Sequence, residues 1–339
     1  MSCRRDEIPG LSLEQKATLL ALGSIAVDDP EAIRPFLTTA TAGPGAGGTS
    51  LFLNAGGRRV RLSLNPDSPL LFVRDGETAR VVRRDDGEIV AVCRLERPLC
   101  HCPRQAYLTI GERCIYSCRF CPVPRREGGV KTDEEVRDLV RTATESGELE
   151  AISITSGVIE SPAEDERRIA GIVRMLASEF GLPIGVSIYP TPTSTGALFA
   201  AGAVEIKYNL ETATPELFRE ACPDLSREEI ETALLDAVRV FGRGRVASNI
   251  LVGIGETDDE LEALVASLTA DGIIPVIRPV NPGPARTGGL TATRPDAARL
   301  LRLASMTKRH LDRHGLDPRQ ARTMCLPCTG CDLVPGIDL

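Results

Sequence analysis

The hydrophobic pattern of the first hundred residues changes its period once. Residues 12–23 carry apolar side chains at helical spacing, begin with serine and stop at glycine, which predicts one helix. Over residues 50–96, apolar and polar positions alternate instead, and turn-forming residues separate the alternating runs. The predicted strands are 51–53, 60–64, 70–74, 79–83 and 89–94. This segment therefore predicts a small antiparallel β module of about five strands.

From residue 107 onward, β-branched apolar runs alternate with helical patterns. The strand-like runs are 107–110, 151–155, 184–189, 204–208, 246–252 and 274–279. Thr132, Ser226 and Thr257 each precede a glutamate by three positions, which is the capping-box signature of a helix start. Repeated strand–helix units predict a parallel sheet that closes into a partial (β/α)6 barrel, short of a full TIM barrel. Right-handed crossovers place the carboxyl ends of these strands on one face.

These patterns divide the chain into four segments. The predicted domains are 1–49, with the helix and a Gly/Ala/Thr/Pro linker at 41–48; 50–105, the β module; 106–290, the α/β barrel; and 291–339, the C-terminal segment. That last segment holds a helix over 296–314 and a Cys-rich tail that we expect to bind metal.

Three cysteines follow the first barrel strand, at spacings of four and three. They are Cys114, Cys118 and Cys121, and the aromatic Phe120 stands directly before the last of them. An ordinary iron–sulfur cluster takes four thiolates, so a cluster held here keeps one iron open for another ligand. The alternatives are a zinc knuckle or three unrelated buried thiols.

Composition and charge restrict the class of function. A 42% apolar and 26% charged composition is typical of a soluble globular protein. No apolar stretch is long enough for a membrane span, and the first ten residues are too polar for a signal peptide. A net charge of −7 offers no general attraction for nucleic acid. The 11 clustered cysteines indicate metal ligands in a reducing environment, so we expect a cytoplasmic protein.

The Cys-x3-Cys-x2-Cys motif with its aromatic residue resembles the signature of the radical S-adenosylmethionine (SAM) enzymes, and the resemblance extends over residues 107–287. It implies a [4Fe–4S] cluster on Cys114, Cys118 and Cys121, whose free iron is chelated by the amino and carboxyl groups of SAM. Reductive cleavage of SAM then yields a 5′-deoxyadenosyl radical. Because that radical abstracts hydrogen without a general base, no catalytic acid or base is predicted.

Other residues resemble SAM contacts of the same superfamily. Phe120 resembles the aromatic residue that packs near the adenine. Residues 204–212 resemble the biotin synthase stretch that holds the ribose, which implies this role for Asn209 and Glu211. A carboxylate is suited to pair with the ribose diol. The alternative for Glu211 is an acid that only complements a helix N-terminus.

Two further stretches resemble parts of the SAM site. Gly253 and Gly255 belong to a Gly-x-Gly-Glu-Thr turn whose backbone, in biotin synthase, approaches the adenine. The chain departs from the superfamily after the second strand, where the usual Gly-Gly-Glu is replaced by Thr155, Ser156 and Gly157. The contact with the SAM amino group is therefore assigned to backbone carbonyls at Ser156 and Gly157.

A second group of cysteines lies near the end of the chain. Cys325, Cys328 and Cys331 supply three thiolates within seven residues, and a closed tetrahedral site needs a fourth. We predict that Cys100 or Cys102 completes this site, with zinc, mononuclear iron or an auxiliary cluster as the metal. The alternative is a set of unrelated thiols. The remaining cysteines show no partner pattern and are interpreted as incidental thiols: Cys3, Cys93 and Cys222.

The layout of the segments resembles one subfamily in particular. A β module, the cluster loop, a short barrel and a Cys-rich tail resemble the enzymes that C-methylate glutamine or arginine residues of methyl-coenzyme M reductase in methanogens. That resemblance implies cobalamin as a methyl carrier and a peptide of the reductase α subunit as substrate. It also implies an electron donor such as ferredoxin or flavodoxin. Edge strands of the β module offer backbone groups that suit an extended peptide.

Two other functions stay open. The matches to biotin synthase favour a radical SAM synthase that acts on a small molecule, with the C-terminal site as an auxiliary cluster and sulfur donor. A non-catalytic metal-binding scaffold is the second, but it leaves the SAM-like motifs unexplained. No nucleic acid or membrane partner is expected.

Overall fold

The computed structural model describes residues 10–41, 43–76, 78–281 and 290–339. Cys3, part of the predicted linker and residues 282–289 fall outside the described residues. In the described ranges, no helix is both long and apolar enough to cross a membrane.

The N-terminal helix α1, Leu13–Leu22, has the ends that its sequence predicts. Ser12 and Gln15 form a reciprocal capping box at its start, and Gly23 ends it in the left-handed conformation at φ 67°. Lys16 on this helix is fully buried and donates to both carboxylate oxygens of Asp338, at 2.8 and 2.7 Å. The first helix is thereby tied to the last residues of the chain.

The β module is a twisted sheet that follows α1. Its strands are β1 Ser24–Ile25, β2 Leu37–Thr39, β3 Thr49–Ala55, β4 Arg58–Leu64, β5 Leu70–Asp75, β6 Thr78–Arg83 and β7 Ile89–Glu96. The order is β1-β4-β3-β7-β6-β5, with β2 also paired to β3. The strands β1 and β2 were not predicted, because two or three residues are too few to show alternation. In addition, β1 pairs with β4 in parallel, so the module is not wholly antiparallel.

The second sheet is a curled half-barrel of parallel strands. In the described part of the chain its order is β13-β12-β11-β10-β9-β8, which confirms the prediction of six parallel strands. The strands are β8 Gln105–Thr109, β9 Ala151–Thr155, β10 Ile184–Ser187, β11 Glu205–Lys207, β12 Val246–Val252 and β13 Ile273–Pro279. They are almost entirely buried, as expected when both faces of a parallel sheet are covered.

Helices cover the outer face of this sheet and continue into the tail. They are α2 Asp133–Thr144, α3 Pro162–Phe180, α4 Ser194–Ala201, α5 Pro215–Ala221, α6 Arg227–Phe241, α7 Asp258–Asp271, α8 Ala297–Arg313 and α9 Cys325–Cys328. Thr132 and Thr257 form the predicted capping boxes. At α6, Ser226 caps the helix without the reciprocal bond to Glu229, because the Glu229 carboxylate accepts a hydrogen bond from the Tyr189 hydroxyl.

The C-terminal tail enters the half-barrel at the amino ends of its strands. Thr323 donates to the Glu205 carboxylate at the start of β11. The backbone N–H of Met324 donates to Gln105 Oε1 and Ser153 Oγ, both at 2.8 Å. Since these partners point to the barrel interior, α9 and its cysteines lie inside the half-barrel.

Candidate functional site

One cavity of about 300 Å³ lies between the half-barrel, the β module and the tail. Its wall includes Phe52 and Arg61 of the β module, so that module closes part of the open side of the half-barrel. Both predicted groups of cysteines also line this cavity: Cys114, Cys118 and Cys121 in one group, and Cys102, Cys325, Cys328 and Cys331 in the other. The cavity therefore connects two thiol-rich walls.

The first thiol wall is the loop that follows β8. Its backbone is fixed by the Ile115 N–H, which donates to the Val158 carbonyl at 2.8 Å, and by a turn in which the Cys121 N–H donates to Cys118 at 3.0 Å. Burial raises the pKa of Cys114, and it raises the pKa of Cys121 to about 12. Thiols in such surroundings stay protonated unless a metal takes the proton's place. These three cysteines fit an iron–sulfur cluster with one open iron.

The two residues that are predicted to hold the ribose line the same cavity. Asn209 and Glu211 both line it, and Glu211 adopts a left-handed backbone at φ 61°, a conformation that costs energy for this residue type. Burial raises the pKa of Glu211 to about 7, against the opposite effects of Lys207 and Asn209. Its Oε2 atom is buried without a hydrogen-bond partner. An acceptor in this state suits the hydroxyl donors of a diol.

Three other predicted SAM contacts also line the cavity. Phe120 is 3% exposed and packs beside the cluster cysteines. Ser156 accepts from the Gly111 N–H at 3.1 Å and donates to the Gly157 carbonyl at 2.8 Å. A Cβ at Gly157 would collide with the Arg113 carbonyl, so glycine is required for this close approach.

The glycine turn after β12 does not line this cavity, and its contact with the adenine stays a prediction. Gly253 and Gly255 are not among the described residues of the cavity wall. Both have positive φ, and the Glu256 carboxylate accepts from the Gly253 N–H at 2.7 Å and forms a salt bridge with Arg299 at 2.9 Å. The positive φ of both residues favours glycine, and at Gly253 a Cβ would also collide with the Thr293 carbonyl.

Of the two cysteines predicted to complete the C-terminal site, Cys102 belongs to the second thiol-rich wall and Cys100 does not. Cys102 is fully buried beside Cys328, and this proximity lowers the pKa of Cys328 and raises the pKa of Cys102. Cys100 lies outside the cavity wall, and burial raises its pKa to about 11. Of the two predicted candidates, Cys102 is therefore the one placed to complete the C-terminal site.

Cations surround the four thiols of this wall. Arg59 lies near Cys102 and Cys328, while Arg278 lies near Cys325 and Cys331. Arg59 is also paired with Glu96, and Arg278 with Asp332. Lys207 next to Cys325 and Arg61 next to Cys331 form no salt bridge with a described carboxylate. The four thiolates carry more negative charge than Zn²⁺ or an oxidised [4Fe–4S] core carries positive charge. The bound complex is therefore anionic, which suits the surrounding cations.

The backbone of the tail is also held in place. Thr329 adopts φ 55°, and its carbonyl accepts from Lys16 at 2.8 Å. Arg59 donates to the Cys328 carbonyl at 2.8 Å, and the Arg61 N–H donates to the Gly330 carbonyl at 2.7 Å. Among the described residues, no group of three or more His, Cys, Asp or Glu side chains is arranged so that it could hold one metal ion. The second metal therefore stays a prediction.

Several residues of the cavity wall were missed from the sequence. They are Tyr107, Lys207 and Asn249. The signal that could have identified them is the alternation of side-chain direction along each barrel strand, since side chains at every second position face the interior. Lys207 and Asn209 show it directly, because both line the cavity two positions apart.

Comparisons with known proteins agree with this geometry. Residues 108–268 match the family model of the Radical SAM superfamily. The lipoyl synthase of Mycolicibacterium gilvum is 26% identical over 190 residues, covering 52% of this chain and 57% of that protein. The lipoyl synthase of Paracidovorax citrulli is 27% identical over 179 residues, covering 49% and 52%. The chain thus spans about half the length of these curated relatives.

Solved structures share the fold at low sequence identity. A radical SAM methyltransferase from Sphaerobacter thermophilus superposes with a TM-score of 0.52 at 22% identity, covering 72% of this chain and 76% of that one. The FeFe-hydrogenase maturase HydG from Carboxydothermus hydrogenoformans gives 0.54 at 19%, covering 68% and 59%. With the three-cysteine loop and the half-barrel, the family-model match identifies residues 108–268 as a radical SAM domain.

Proposed function

We propose that this protein is a radical SAM synthase that inserts sulfur into an aliphatic substrate. The observation that carries the proposal is that the two thiol walls line one cavity. A substrate held there has the site of radical generation on one side and the second thiolate site on the other. A carbon radical formed by hydrogen abstraction is then within the same enclosed space as the second site.

The size of the cavity supports a small substrate group. Pockets for drug-sized ligands are usually about 300–1,000 Å³, and this cavity of about 300 Å³ is at the lower end. SAM is itself a drug-sized ligand, so little of this space is left for a bulky substrate or second cofactor beside it. A corrinoid is several times larger than a drug-sized ligand, so the described cavity does not favour the cobalamin-dependent C-methylation expected from the sequence.

The second site supports an iron–sulfur cluster as the sulfur source. Cys102, Cys325, Cys328 and Cys331 provide the four thiolates that an ordinary [4Fe–4S] cluster takes. When bound, such a cluster supplies inorganic sulfide within the cavity. Lys207, Arg278 and Arg61 would hold its negative charge there. Zinc suits the same thiolates but supplies no sulfide.

The sequence relatives support the same class of reaction. The two sequence relatives are named lipoyl synthase, and a lipoyl group is an octanoyl group that carries two sulfur atoms. An octanoyl-lysyl peptide is therefore the first substrate to test. Methyl-coenzyme M reductase as partner, and ferredoxin or flavodoxin as electron donor, stay predictions from the resemblance.

The test is an anaerobic reaction of the reconstituted protein with SAM, reductant and octanoyl-lysyl peptide. Mass spectrometry should show sulfur gained by the peptide, together with 5′-deoxyadenosine. The Cys328→Ala variant should still form 5′-deoxyadenosine but should transfer no sulfur. Transfer of a labelled methyl group from SAM to a reductase peptide, with cobalamin added, would contradict sulfur insertion and favour C-methylation.

A further inference from the structure

Asn249 on β12 has an unpartnered polar atom on the wall of the cavity. The residue is 4% exposed and lines the cavity, and no described group donates a hydrogen bond to its side-chain Oδ1 atom. A buried amide oxygen without a donor is unfavourable, so such an atom is usually satisfied by a bound molecule when the protein supplies no partner. Asn249 therefore has the properties of a ligand contact.

A second unpartnered acceptor belongs to the neighbouring backbone segment. Glu211 also lines the cavity, and its Oε2 atom is buried without a donor. The Glu211 N–H donates to the Asn249 carbonyl at 2.9 Å, and the Leu251 N–H donates to the Glu211 carbonyl at 2.8 Å. Backbones paired in this way lie about 4.8 Å apart. A ligand that satisfies both side chains must therefore carry two hydrogen-bond donors close together.

The amide oxygen of Asn209, in contrast, already has a partner. It accepts a hydrogen bond from the Asn249 backbone N–H at 3.3 Å, and the Leu210 N–H donates to Ser248 Oγ at 2.9 Å. These two bonds fix residues 209–211 against β12, so Asn249 and Glu211 keep their relative positions before any ligand arrives. Of the two asparagines on the cavity wall beside Glu211, Asn249 is the one whose side-chain oxygen lacks a donor from the described chain.

We infer that Asn249 Oδ1 and Glu211 Oε2 each accept a hydrogen bond from one hydroxyl of the ribose of SAM. SAM is the ligand that a radical SAM domain implies, and its ribose carries two adjacent hydroxyl groups, each with one hydrogen to donate. Two neighbouring acceptors without donors match that diol. The inference rests on the radical SAM domain and is independent of the proposed sulfur insertion.

The test is calorimetric binding of SAM, 2′-deoxy-SAM and 3′-deoxy-SAM to the reconstituted protein, under anaerobic conditions and without reductant. Asn249→Leu keeps the approximate size of the side chain but removes its acceptor, and it should weaken SAM binding about tenfold. In the wild-type protein, loss of either hydroxyl should weaken binding by a similar factor. In Asn249→Leu, one of the two deoxy analogues should bind at least as tightly as SAM, because the hydroxyl it lacks has no acceptor there.

The outcomes separate a ribose contact from other roles. Asn65→Leu makes the same chemical change in an exposed turn of the β module and should leave all three affinities unchanged. If Asn249→Leu weakens SAM and both analogues by the same factor, Asn249 has only a structural role and the inference is overturned. Unchanged SAM affinity with weaker binding of octanoyl-lysyl peptide would also overturn it, since Asn249 would then contact the substrate. If Asn249→Leu folds poorly, Asn249→Ala measured with the same three ligands decides by the same criterion.

Discussion

The ammonium group of Lys207 lies 3.3 Å from the sulfur of Cys325 and connects the middle of the barrel to the C-terminal tail. Burial acts to raise the pKa of Cys325, but Lys207 and Arg278 outweigh it and lower the pKa below the usual value for a thiol. A lysine at the end of β11 thus favours the thiolate form of a cysteine more than a hundred residues away in sequence.

Replacing Lys207 should weaken metal binding at the second site. Lys207→Met removes the charge that stabilises the Cys325 thiolate, and loss of such an outer contact typically lowers metal affinity about 10–100-fold. Lys207→Arg keeps the charge and is the matched control. The measurement is the metal retained by each protein against a competing chelator. Equal retention by Lys207→Met and the wild-type protein would show that the ammonium group has no role there.

Replacing Lys16 should loosen the whole tail. Lys16 and Asp338 are both fully buried, and removing one partner of a buried ion pair typically costs about 3–5 kcal/mol. Lys16→Met should therefore lower the free energy of unfolding by an amount in that range, measured by denaturant titration. Lys308→Met breaks a solvent-exposed pair with Asp312 and should change stability little. A similar, small effect of both changes would contradict the buried link.

The affinity for SAM should depend on the ionisation of Glu211. Burial raises the pKa of this carboxyl to about 7, and a ribose diol donates to its ionised form. SAM should thus bind more tightly as the pH rises through about 7. For folding the sign is opposite: the stability gained by keeping Glu211 protonated is full below its unfolded pKa and is lost as the pH rises through about 7.

Equilibrium binding of SAM to the reconstituted protein at a series of pH values measures this effect. Glu211→Gln cannot ionise, so its weaker binding should show little change over the same range. A wild-type pH dependence that persists in Glu211→Gln must arise from another group.

Local signals in the sequence predicted much of the fold. The barrel strands, the first helix with Ser12 and Gly23, and the capping boxes at Thr132 and Thr257 depend on short-range chemistry that the sequence contains directly. Glu229 departs from its predicted cap because Tyr189, forty residues earlier, supplies a competing donor. Such competition is decided by the tertiary structure.

The site was harder to predict wherever it depends on long-range packing. Spacing identified Cys325, Cys328 and Cys331 as a group, but only the insertion of the tail into the barrel places Cys102, and not Cys100, on the same cavity wall. Gly253 and Gly255 resembled an adenine contact, yet a tight turn requires the same residues.

The central claim is that two iron–sulfur clusters face one cavity. Iron and sulfide analysis with Mössbauer spectroscopy of the ⁵⁷Fe-reconstituted protein tests it most directly. The wild-type protein should hold roughly eight iron atoms, four for each cluster, and Cys118→Ala, Cys102→Ala and Cys328→Ala should each retain about half. Cys100→Ala should retain the full content. A wild-type protein with only the cluster of Cys114, Cys118 and Cys121, or a Cys328→Ala protein with unchanged iron, would contradict the account.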